Sequence, residues 1–249
     1  MKIITWNMAY WSKRKTNEEA WHYLVDVLQP DLALVQESNP PKDELISKKV
    51  IWNEIRHRGW GTGIYSKYPM NKLDIETNHP EAMVAAEINL ENGKNVTAAS
   101  IYGLFERKND DETVFSTPLI HHLISDLTWL LLGRGRFSNK ADNLVLGGDL
   151  NVSVQYDGTF MKTSGKYQNA HKLVFDRIAD FGLHSVFEIG KTKEYIQTLR
   201  HPRSKIPWQN DYLFLSDALF KKTTNWTVID DDNAKKLSDH NPVMAEIAI

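Results

Sequence analysis

The chain has 249 residues, a length that suits one large domain or two small ones. It contains no cysteine, which excludes disulfides, thiolate metal sites and a cysteine nucleophile. The net charge is -2, so any affinity for a polyanion must come from a local basic patch or a bound cation rather than from the overall field.

The first segments of the chain are predicted to form a strand, a helix and a second strand. Residues 2–6 and 31–35 are short apolar runs typical of strands. Thr16 and Glu19 have the spacing of a capping box, in which each side chain bonds the backbone of the other at the start of a helix. Apolar residues then recur at helical spacing, and Pro30 ends the helix.

The middle and end of the chain are rich in predicted strands. Asn92 and Gly93 indicate a tight hairpin between two of them. Further strands are expected at residues 50–55, 63–66, 73–77, 83–90, 95–102, 144–146, 195–199, 212–215, 226–229 and 243–247, and helices at 118–132 and 170–181. Strands outnumber helices, which predicts one α/β domain over residues 1–249 with two packed sheets and helices outside.

The sequence has no sign of a membrane or secretion segment. The N-terminus lacks the long apolar stretch of a signal peptide. No segment approaches the roughly 20 apolar residues of a membrane span. We therefore expect a cytoplasmic protein with no membrane partner.

Four predicted strands run into polar residues suited to hard-cation or phosphate chemistry. Ligand sites in α/β folds gather at strand ends, and carboxylate and amide oxygens are the ligands that Mg²⁺ prefers. The residues at these ends are Asn7, Gln36-Glu37, Asp149-Leu150-Asn151 and Ser238-Asp239-His240.

Asp149 and Asn151 follow the glycine pair Gly147-Gly148, which lets the backbone turn sharply and approach its neighbours closely. Side chains two apart in an extended segment point to the same side, so an acceptor and an amide donor would face one spot. Asp149 can then orient or deprotonate a water while Asn151 donates to a phosphate oxygen. The same residues also fit an Asx turn that only ends the strand.

Ser238, Asp239 and His240 fit either a plain loop or a catalytic group. Histidine is the side chain best suited to proton exchange near neutral pH. The segment alone leaves both interpretations open.

Seven motifs together carry a resemblance to a known family. In chain order they are Thr5-Trp6-Asn7, Val35-Gln36-Glu37, Gly61-Thr62-Gly63-Ile64-Tyr65-Ser66, Ser100-Ile101-Tyr102, Gly147-Gly148-Asp149-Leu150-Asn151, Asn210-Asp211-Tyr212 and Ser238-Asp239-His240. This set resembles the endonuclease/exonuclease/phosphatase superfamily of metal-dependent phosphoesterases. The resemblance implies a four-layer α/β/β/α sandwich, with two packed mixed β-sheets flanked by helices.

The resemblance also implies a metal site. Glu37 is expected to be the main Mg²⁺ ligand, with Asn7 and Asp239 nearby in the metal shell. Mn²⁺ is expected to substitute for Mg²⁺.

Five residues are expected to form the catalytic set. Asp149 resembles the residue that activates the attacking water, and Asn151 its partner on water or phosphate. Asp211 resembles the carboxylate that orients the catalytic histidine, here His240. Tyr102 resembles the tyrosine that contacts phosphate in the exonuclease III branch.

Two basic stretches suggest the substrate. Residues 56–58 precede Trp60, and the stretch that contains Arg200, Arg203 and Lys205 precedes Trp208 and then Asp211. Cations beside an exposed tryptophan suit a nucleic-acid strand, because the cations bind phosphates and the ring stacks on a base.

The leading hypothesis is Mg²⁺-dependent hydrolysis of phosphodiester bonds in DNA or RNA by a monomer without a protein partner. One alternative is a phosphatase or phosphodiesterase for a small phosphorylated metabolite or a lipid head group. Another is an inactive nucleic-acid-binding module, which would predict missing catalytic residues. The sequence after Tyr102 departs from the pattern of AP endonucleases, which argues against an abasic-site substrate.

Overall fold

The computed structural model describes residues 1–55, 58–104, 106–108, 112–114, 116–132, 142–159, 169–188 and 195–249. The strands are β1 (Lys2–Asn7), β2 (Leu32–Ser38), β3 (Val50–Glu54), β4 (Gly61–Ser66), β5 (Met70–Leu73), β6 (Met83–Asn89), β7 (Asn95–Tyr102), β8 (Glu106–Lys108), β9 (Glu112–Val114), β10 (Leu144–Asp149), β11 (Leu183–Ser185), β12 (Asp211–Ser216), β13 (Thr223–Val228) and β14 (Val243–Ile247). The helices are α1 (Tyr10–Lys13), α2 (Asn17–His22, continued by a wider turn over Tyr23–Leu28), α3 (Glu44–Ser47), α4 (Ser116–Leu132), α5 (Val154–Thr159), α6 (Ala170–Asp180), α7 (Asp217–Phe220) and α8 (Asp232–Leu237).

Two six-stranded sheets form the centre of the fold. The first sheet has the order β13-β14-β1-β2-β4-β3, and the second has the order β11-β12-β10-β7-β6-β5. β1 and β2 are parallel, as are β7 and β10, and the other neighbours within the two sheets are antiparallel. This architecture confirms the predicted α/β sandwich of two mixed sheets.

Apolar side chains fill three layers between these elements. The space between the two sheets is filled from both sides, for example by Leu34 of the first sheet and Val145 of the second. Trp6 and Trp21 are fully buried where α2 and α8 cover the outer face of the first sheet. A third cluster joins the second sheet to α4 and α6. Among the described residues, no helix is both long and apolar enough to cross a membrane.

The hairpin between β6 and β7 confirms the prediction made from Asn92-Gly93. Gly93 has a φ of 76°, and the amide of Leu90 donates to the carbonyl of Lys94. The strands that it joins pair from Met83 opposite Ile101 to Asn89 opposite Asn95.

Three local predictions were wrong. The capping box does not form, because residues 14–16 make a tight helical turn and the Thr16 hydroxyl donates to the Lys13 carbonyl instead. The strand predicted at 73–77 is β5, which ends at Leu73 opposite Ala85. Residues 195–199 form no strand, since their amides at Thr198 and Leu199 both bond to the carbonyl of Trp208 in a loop.

Side-chain alternation brings polar residues into the space between the sheets. Ile3 and Val145 lie in the central core, so Asn7 and Asp149 face the same side of their strands. Asp149 lies directly opposite Asp211 on the neighbouring strand. The carboxyl ends of β1, β2, β7 and β10 therefore deliver polar side chains to one edge of the sandwich.

Candidate active site

Glu37 is aimed into the site by a break in β2. The pairing of β2 with β4 shifts register between Val35 and Ser38, and Glu37 has a left-handed φ of 44°. A bulge of this kind redirects a side chain that regular alternation would send to the other face. The Glu37 Oε1 atom accepts hydrogen bonds from Asn7 Nδ2 at 3.1 Å and from the Tyr102 hydroxyl at 2.7 Å.

Asp149 and Asn151 meet through a turn rather than an extended segment. Gly148 has a φ of 152°, and a Cβ atom there would overlap the carbonyl oxygen of Ile101. Asn151 has a left-handed φ of 48°, and its backbone amide donates to Asp149 Oδ1 at 2.9 Å. Its side-chain amide donates to Asp149 Oδ2 at 3.2 Å. The predicted meeting of the two side chains occurs, but an Asx-type turn produces it.

His240 lies between carboxylates. Its Nδ1 atom is 2.8 Å from Asp211 Oδ2, and its Nε2 atom is 3.9 Å from Asp149 Oδ2 and 4.0 Å from Asp239 Oδ1. An ionised carboxylate only accepts, so Nδ1 carries the proton shared with Asp211. His240 is 6% exposed and Asp211 is fully buried. This arrangement leaves Nε2 as the atom that points toward Asp149.

The loop that carries His240 is tied to β1. The Ser238 hydroxyl donates to the Asn7 carbonyl at 2.7 Å and accepts from the amide of His240 at 2.9 Å. Trp6 Nε1 donates to the His240 carbonyl at 3.1 Å. The position of the imidazole therefore depends on residues of the first sheet.

Burial and charge shift the pKa values of this group. Burial alone would lower the pKa of His240, but the carboxylates of Asp211 and Asp149 outweigh it and raise the pKa to about 10. Burial is the main cause that raises the pKa of Asp149 to about 8, against the opposing effect of His240. Burial also raises the pKa of Glu37, partly offset by His240 and Tyr102. The imidazole is therefore cationic at neutral pH.

Three carboxylate oxygens of the site lack a hydrogen-bond donor. Within the described residues, Glu37 Oε2, Asp211 Oδ1 and Asp239 Oδ1 are buried and accept no hydrogen bond. A buried anionic oxygen without a donor is unfavourable unless a cation binds it. All three are hard oxygen ligands of the type that Mg²⁺ takes. The residues thus fit the metal that the sequence predicts.

Asn7 takes part in this site mainly through its amide nitrogen. Its Nδ2 atom donates to both Glu37 and Asp149, the latter at 2.8 Å. Its Oδ1 atom accepts from the amide of Ala9 at 2.8 Å, which leaves one lone pair for another ligand. Asn7 therefore fixes the distance between two carboxylates that belong to different sheets.

A second grouping also satisfies metal-ligand distances. One ligand atom each from Asp149, Asp211 and His240 lie within 4.8 Å of one another. A cation there would compete with the proton that joins His240 to Asp211. Imidazole is also a ligand for zinc, copper or nickel more than for Mg²⁺. The oxygens of Glu37 and Asp239 are therefore the better match for a hard cation.

Comparison with known proteins now decides the family. The sequence model of the Endonuclease/Exonuclease/phosphatase family matches residues 4–240, which include every element of the site described above. The chain belongs to this family. No curated protein matches the sequence.

Solved structures of the same fold cover the whole length of this family member. The AP endonuclease LMAP from Leishmania major is 17% identical with a TM-score of 0.71, over 98% of this chain and 86% of that chain. The 3' phosphatase NExo from Neisseria, bound to a product DNA hairpin, is 18% identical with a TM-score of 0.70 over 100% of both chains. An AP endonuclease from Archaeoglobus fulgidus is 17% identical with a TM-score of 0.70 over 100% of both chains. At these identities the likeness shows the fold alone.

The prediction that a base stacks on Trp208 was wrong for this family member. Trp208 is 3% exposed, and its ring stacks on Tyr156 with centroids 4.6 Å apart. Trp60 is also buried and packs edge-on against Tyr102. Each ring follows a basic stretch in the sequence but is packed inside the protein. Neither ring is therefore exposed for stacking on a base.

The predicted basic contacts separate into two kinds. Arg203 and Lys205 are exposed. Arg200 is turned inward: its Nη2 atom donates to the Ser238 carbonyl at 2.6 Å and its backbone amide to the Asp239 carbonyl at 2.8 Å. Arg200 therefore holds the loop that carries His240. In the first basic stretch Arg58 is exposed, while residues 56 and 57 lie outside the described residues.

Two residues to which the sequence assigned no role extend the predicted site. Asn210 Nδ2 is 3.5 Å from Asn151 Oδ1, and the Tyr156 hydroxyl donates to Asn210 Oδ1 at 3.2 Å. Asn210 is the first residue of the motif Asn210-Asp211-Tyr212, and this position beside Asp211 is the sequence feature that could have pointed to it. Tyr156 had no signal, because it lies in a segment for which no element was predicted.

The helix before the catalytic loop gives a test of stability. Asp231 caps α8, accepting from the Ala234 amide at 2.8 Å and from the Tyr23 hydroxyl at 2.5 Å. We expect Asp231→Ala to lower the free energy of unfolding by about 1 kcal/mol. Asp232→Ala, which removes an exposed neighbouring carboxylate, is the control. Urea denaturation at pH 7 measures the difference between them.

This effect of Asp231 depends on pH. Burial raises the pKa of Asp231, but hydrogen bonds from Tyr23 and from the amide of Ala234 outweigh it and the net pKa is lowered. A lowered pKa in the folded state stabilises the fold above the ordinary aspartate pKa of about 3.9. The difference between Asp231→Ala and the wild type should therefore shrink as the pH falls below that value. A constant difference down to pH 2 would contradict the capping role.

Proposed function

We propose that this protein is a Mg²⁺-dependent phosphodiesterase that cleaves nucleic acid. The proposal rests on one observation: buried carboxylate oxygens without donors, among them Glu37 Oε2 and Asp239 Oδ1, lie in the same group of side chains as Asp149 and the cationic His240. Hydrolysis of a phosphodiester needs a site for a cation, an acceptor for the proton of water and a positive group for the phosphoryl oxygens. These residues supply all three.

Each catalytic residue has a task that its contacts support. Bound Mg²⁺, held by Glu37 and Asp239 with Asn7 beside them, would neutralise non-bridging phosphate oxygens and stabilise the leaving oxygen. Asp149 accepts the proton of the attacking water, since a base with a pKa near the working pH transfers protons efficiently. His240 donates from Nε2 to a phosphoryl oxygen.

Three further residues of the predicted site support these groups. Asp211 holds the imidazole through Nδ1 and keeps it cationic. Asn151 donates its two amide hydrogens to Asp149 Oδ2 and to the Gly103 carbonyl, and so orients the Asp149 carboxylate. Tyr102 donates its hydroxyl hydrogen to Glu37 and so positions that carboxylate.

Nucleic acid is the substrate that the surface supports best. Arg203 and Lys205 are exposed on the loop that leads into β12 and Asp211. Exposed cations beside the site suit the phosphates of a strand, even though Trp208 does not stack on a base. The Neisseria phosphatase with the same fold is bound to product DNA. We propose that this protein acts as a monomer, in the cytoplasm, over one domain that spans residues 1–249.

A panel of substrates with and without metal tests the proposal. We expect Mg²⁺ to support hydrolysis of at least one of single-stranded DNA, double-stranded DNA, abasic DNA and RNA at a rate well above that of p-nitrophenyl phosphate and its diester. EDTA should abolish the reaction, and Mg²⁺ or Mn²⁺ should restore it. Activity that survives exhaustive chelation would refute the metal role. Hydrolysis confined to the small esters would favour a phosphatase of small metabolites instead.

A further inference from the structure

A line of hydrogen bonds leads from Tyr156 of α5 to Asp149. The Tyr156 hydroxyl donates to Asn210 Oδ1 at 3.2 Å, and Asn210 Nδ2 donates to Asn151 Oδ1 at 3.5 Å. Asn151 Nδ2 in turn donates to Asp149 Oδ2 at 3.2 Å and to the Gly103 carbonyl at 3.0 Å. In each bond of this line the donor lies on the Tyr156 side and the acceptor on the Asp149 side.

The direction of the line is set at its Asp149 end. An asparagine amide can be turned over, which exchanges its donor and its acceptor at nearly the same positions. The Gly103 carbonyl and an ionised Asp149 carboxylate only accept, so Asn151 must present nitrogen to them and oxygen to Asn210. Asn210 must then present nitrogen to Asn151 and oxygen to Tyr156, whose hydroxyl donates to it. Loss of the Tyr156 hydroxyl would take this donor from the Asn210 oxygen and leave the amide that supports Asn151 less firmly placed.

The ends of the line are held rigidly. The ring of Tyr156 stacks on Trp208 and packs against His171 with centroids 5.2 Å apart. The backbone amides of Asn210 and Asp211 both donate to the Thr198 hydroxyl, at 2.9 and 3.0 Å. The Tyr156 ring and the Asn210 backbone are therefore both held in place, on the two sides of the hydrogen bond that joins them.

We propose that Tyr156 is a positioning residue for the hydrolytic site, acting through Asn210 to hold the Asn151 amide in the place from which it donates to Asp149. This role rests on the proposed function. It differs from a packing role, because packing depends on the ring of Tyr156 whereas positioning depends on its hydroxyl.

Removal of the hydroxyl separates the two roles. Tyr156→Phe keeps the stack on Trp208, and we expect it to lower kcat by about three- to tenfold, the effect of one neutral hydrogen bond. KM and the melting temperature should change little. Tyr65→Phe, which removes a buried hydroxyl on β4 outside the site, is the control and should leave kcat unchanged. Equal kcat in Tyr156→Phe and the wild type would overturn the proposal.

A double-mutant cycle shows whether Tyr156 acts through Asn210. Asn210→Leu should lower kcat at least as much as Tyr156→Phe, and the double variant should be no slower than Asn210→Leu alone, because the line is already broken. Independent effects that multiply in the double variant would refute the line. If Asn210→Leu does not fold, Asn210→Ala takes its place in the cycle.

An NMR measurement reads the same line without substrate. The side-chain amide signals of Asn151 should shift and exchange faster with solvent in Tyr156→Phe, while those of exposed Asn225 stay constant. Unchanged Asn151 signals would overturn the inference. If the wild type hydrolyses no phosphoester but the Asn151 signals respond, the proposed function fails while the positioning line stands.

Discussion

Asp149→Asn is expected to lower kcat by about three orders of magnitude, because the amide keeps the shape of the carboxylate but cannot accept the proton of the attacking water. The substituted side chain still fits between Asn7 and Asn151, which contact it from both sides. Steady-state hydrolysis of the best substrate of the panel measures the loss. Asp180→Asn, on the exposed face of α6, controls for the removal of a carboxylate.

The same substitution should not weaken the fold. The pKa of Asp149 is raised in the folded state, so its ionised form destabilises the protein at pH values above its ordinary pKa of about 3.9. A neutral amide removes the destabilising effect of this ionisation. The melting temperature of Asp149→Asn at pH 8 should therefore be equal to or above that of the wild type. A folded Asp149→Asn protein with turnover within twofold of the wild type would contradict the catalytic role.

His240→Ala is expected to lower kcat by about two to three orders of magnitude, because it removes the cation that faces the phosphoryl oxygen. It also leaves Asp149 and Asp211 buried without the positive group between them. The variant should therefore melt at a lower temperature, which circular dichroism measures beside the rate. His240→Gln, which can still donate to Asp211, should be equally slow but more stable. His184→Ala, at the edge strand β11, is the control.

The pH profile tests the partnership of His240 and Asp211. In the proposed reaction His240 must be cationic, so kcat should fall as the pH rises through its pKa. Asp211→Asn removes one of the three carboxylates that raise this pKa, and the alkaline fall in its residual activity should move to lower pH. An alkaline limb at the same pH in both proteins would show that another group titrates there.

Much of the architecture is readable from the sequence because its signals are local. Alternating apolar residues and Asn92-Gly93 predicted β6, β7 and the hairpin between them. The polar residues after four apolar runs predicted a site at strand ends, and the structure brings Asn7, Glu37 and Asp149 together there. The assigned roles of these residues stay predictions until the variants are measured.

The remaining features depend on contacts between distant segments, which no local pattern encodes. The turn of Glu37 into the site follows from a register shift against β4. The burial of Trp208 follows from its stack on Tyr156, and the inward turn of Arg200 from the carbonyl of Ser238. For Trp208 and Arg200 the neighbouring residues in sequence predicted exposure, and a partner far along the chain decided otherwise.

β1 lies between β2 and β14, so the first strand of the chain pairs with the last. The site depends on this pairing, which has the longest separation in sequence of any strand pairing among the described residues. The amino group of Met1 donates to the carbonyl of Ile247, 246 positions away. Contacts of this separation form late, because closing so long a loop costs entropy before any contact offsets it. A folding intermediate that contained only the second sheet would hold Asp149 and Asp211 without His240 or Glu37. The proposed site is therefore incomplete until the two sheets have come together.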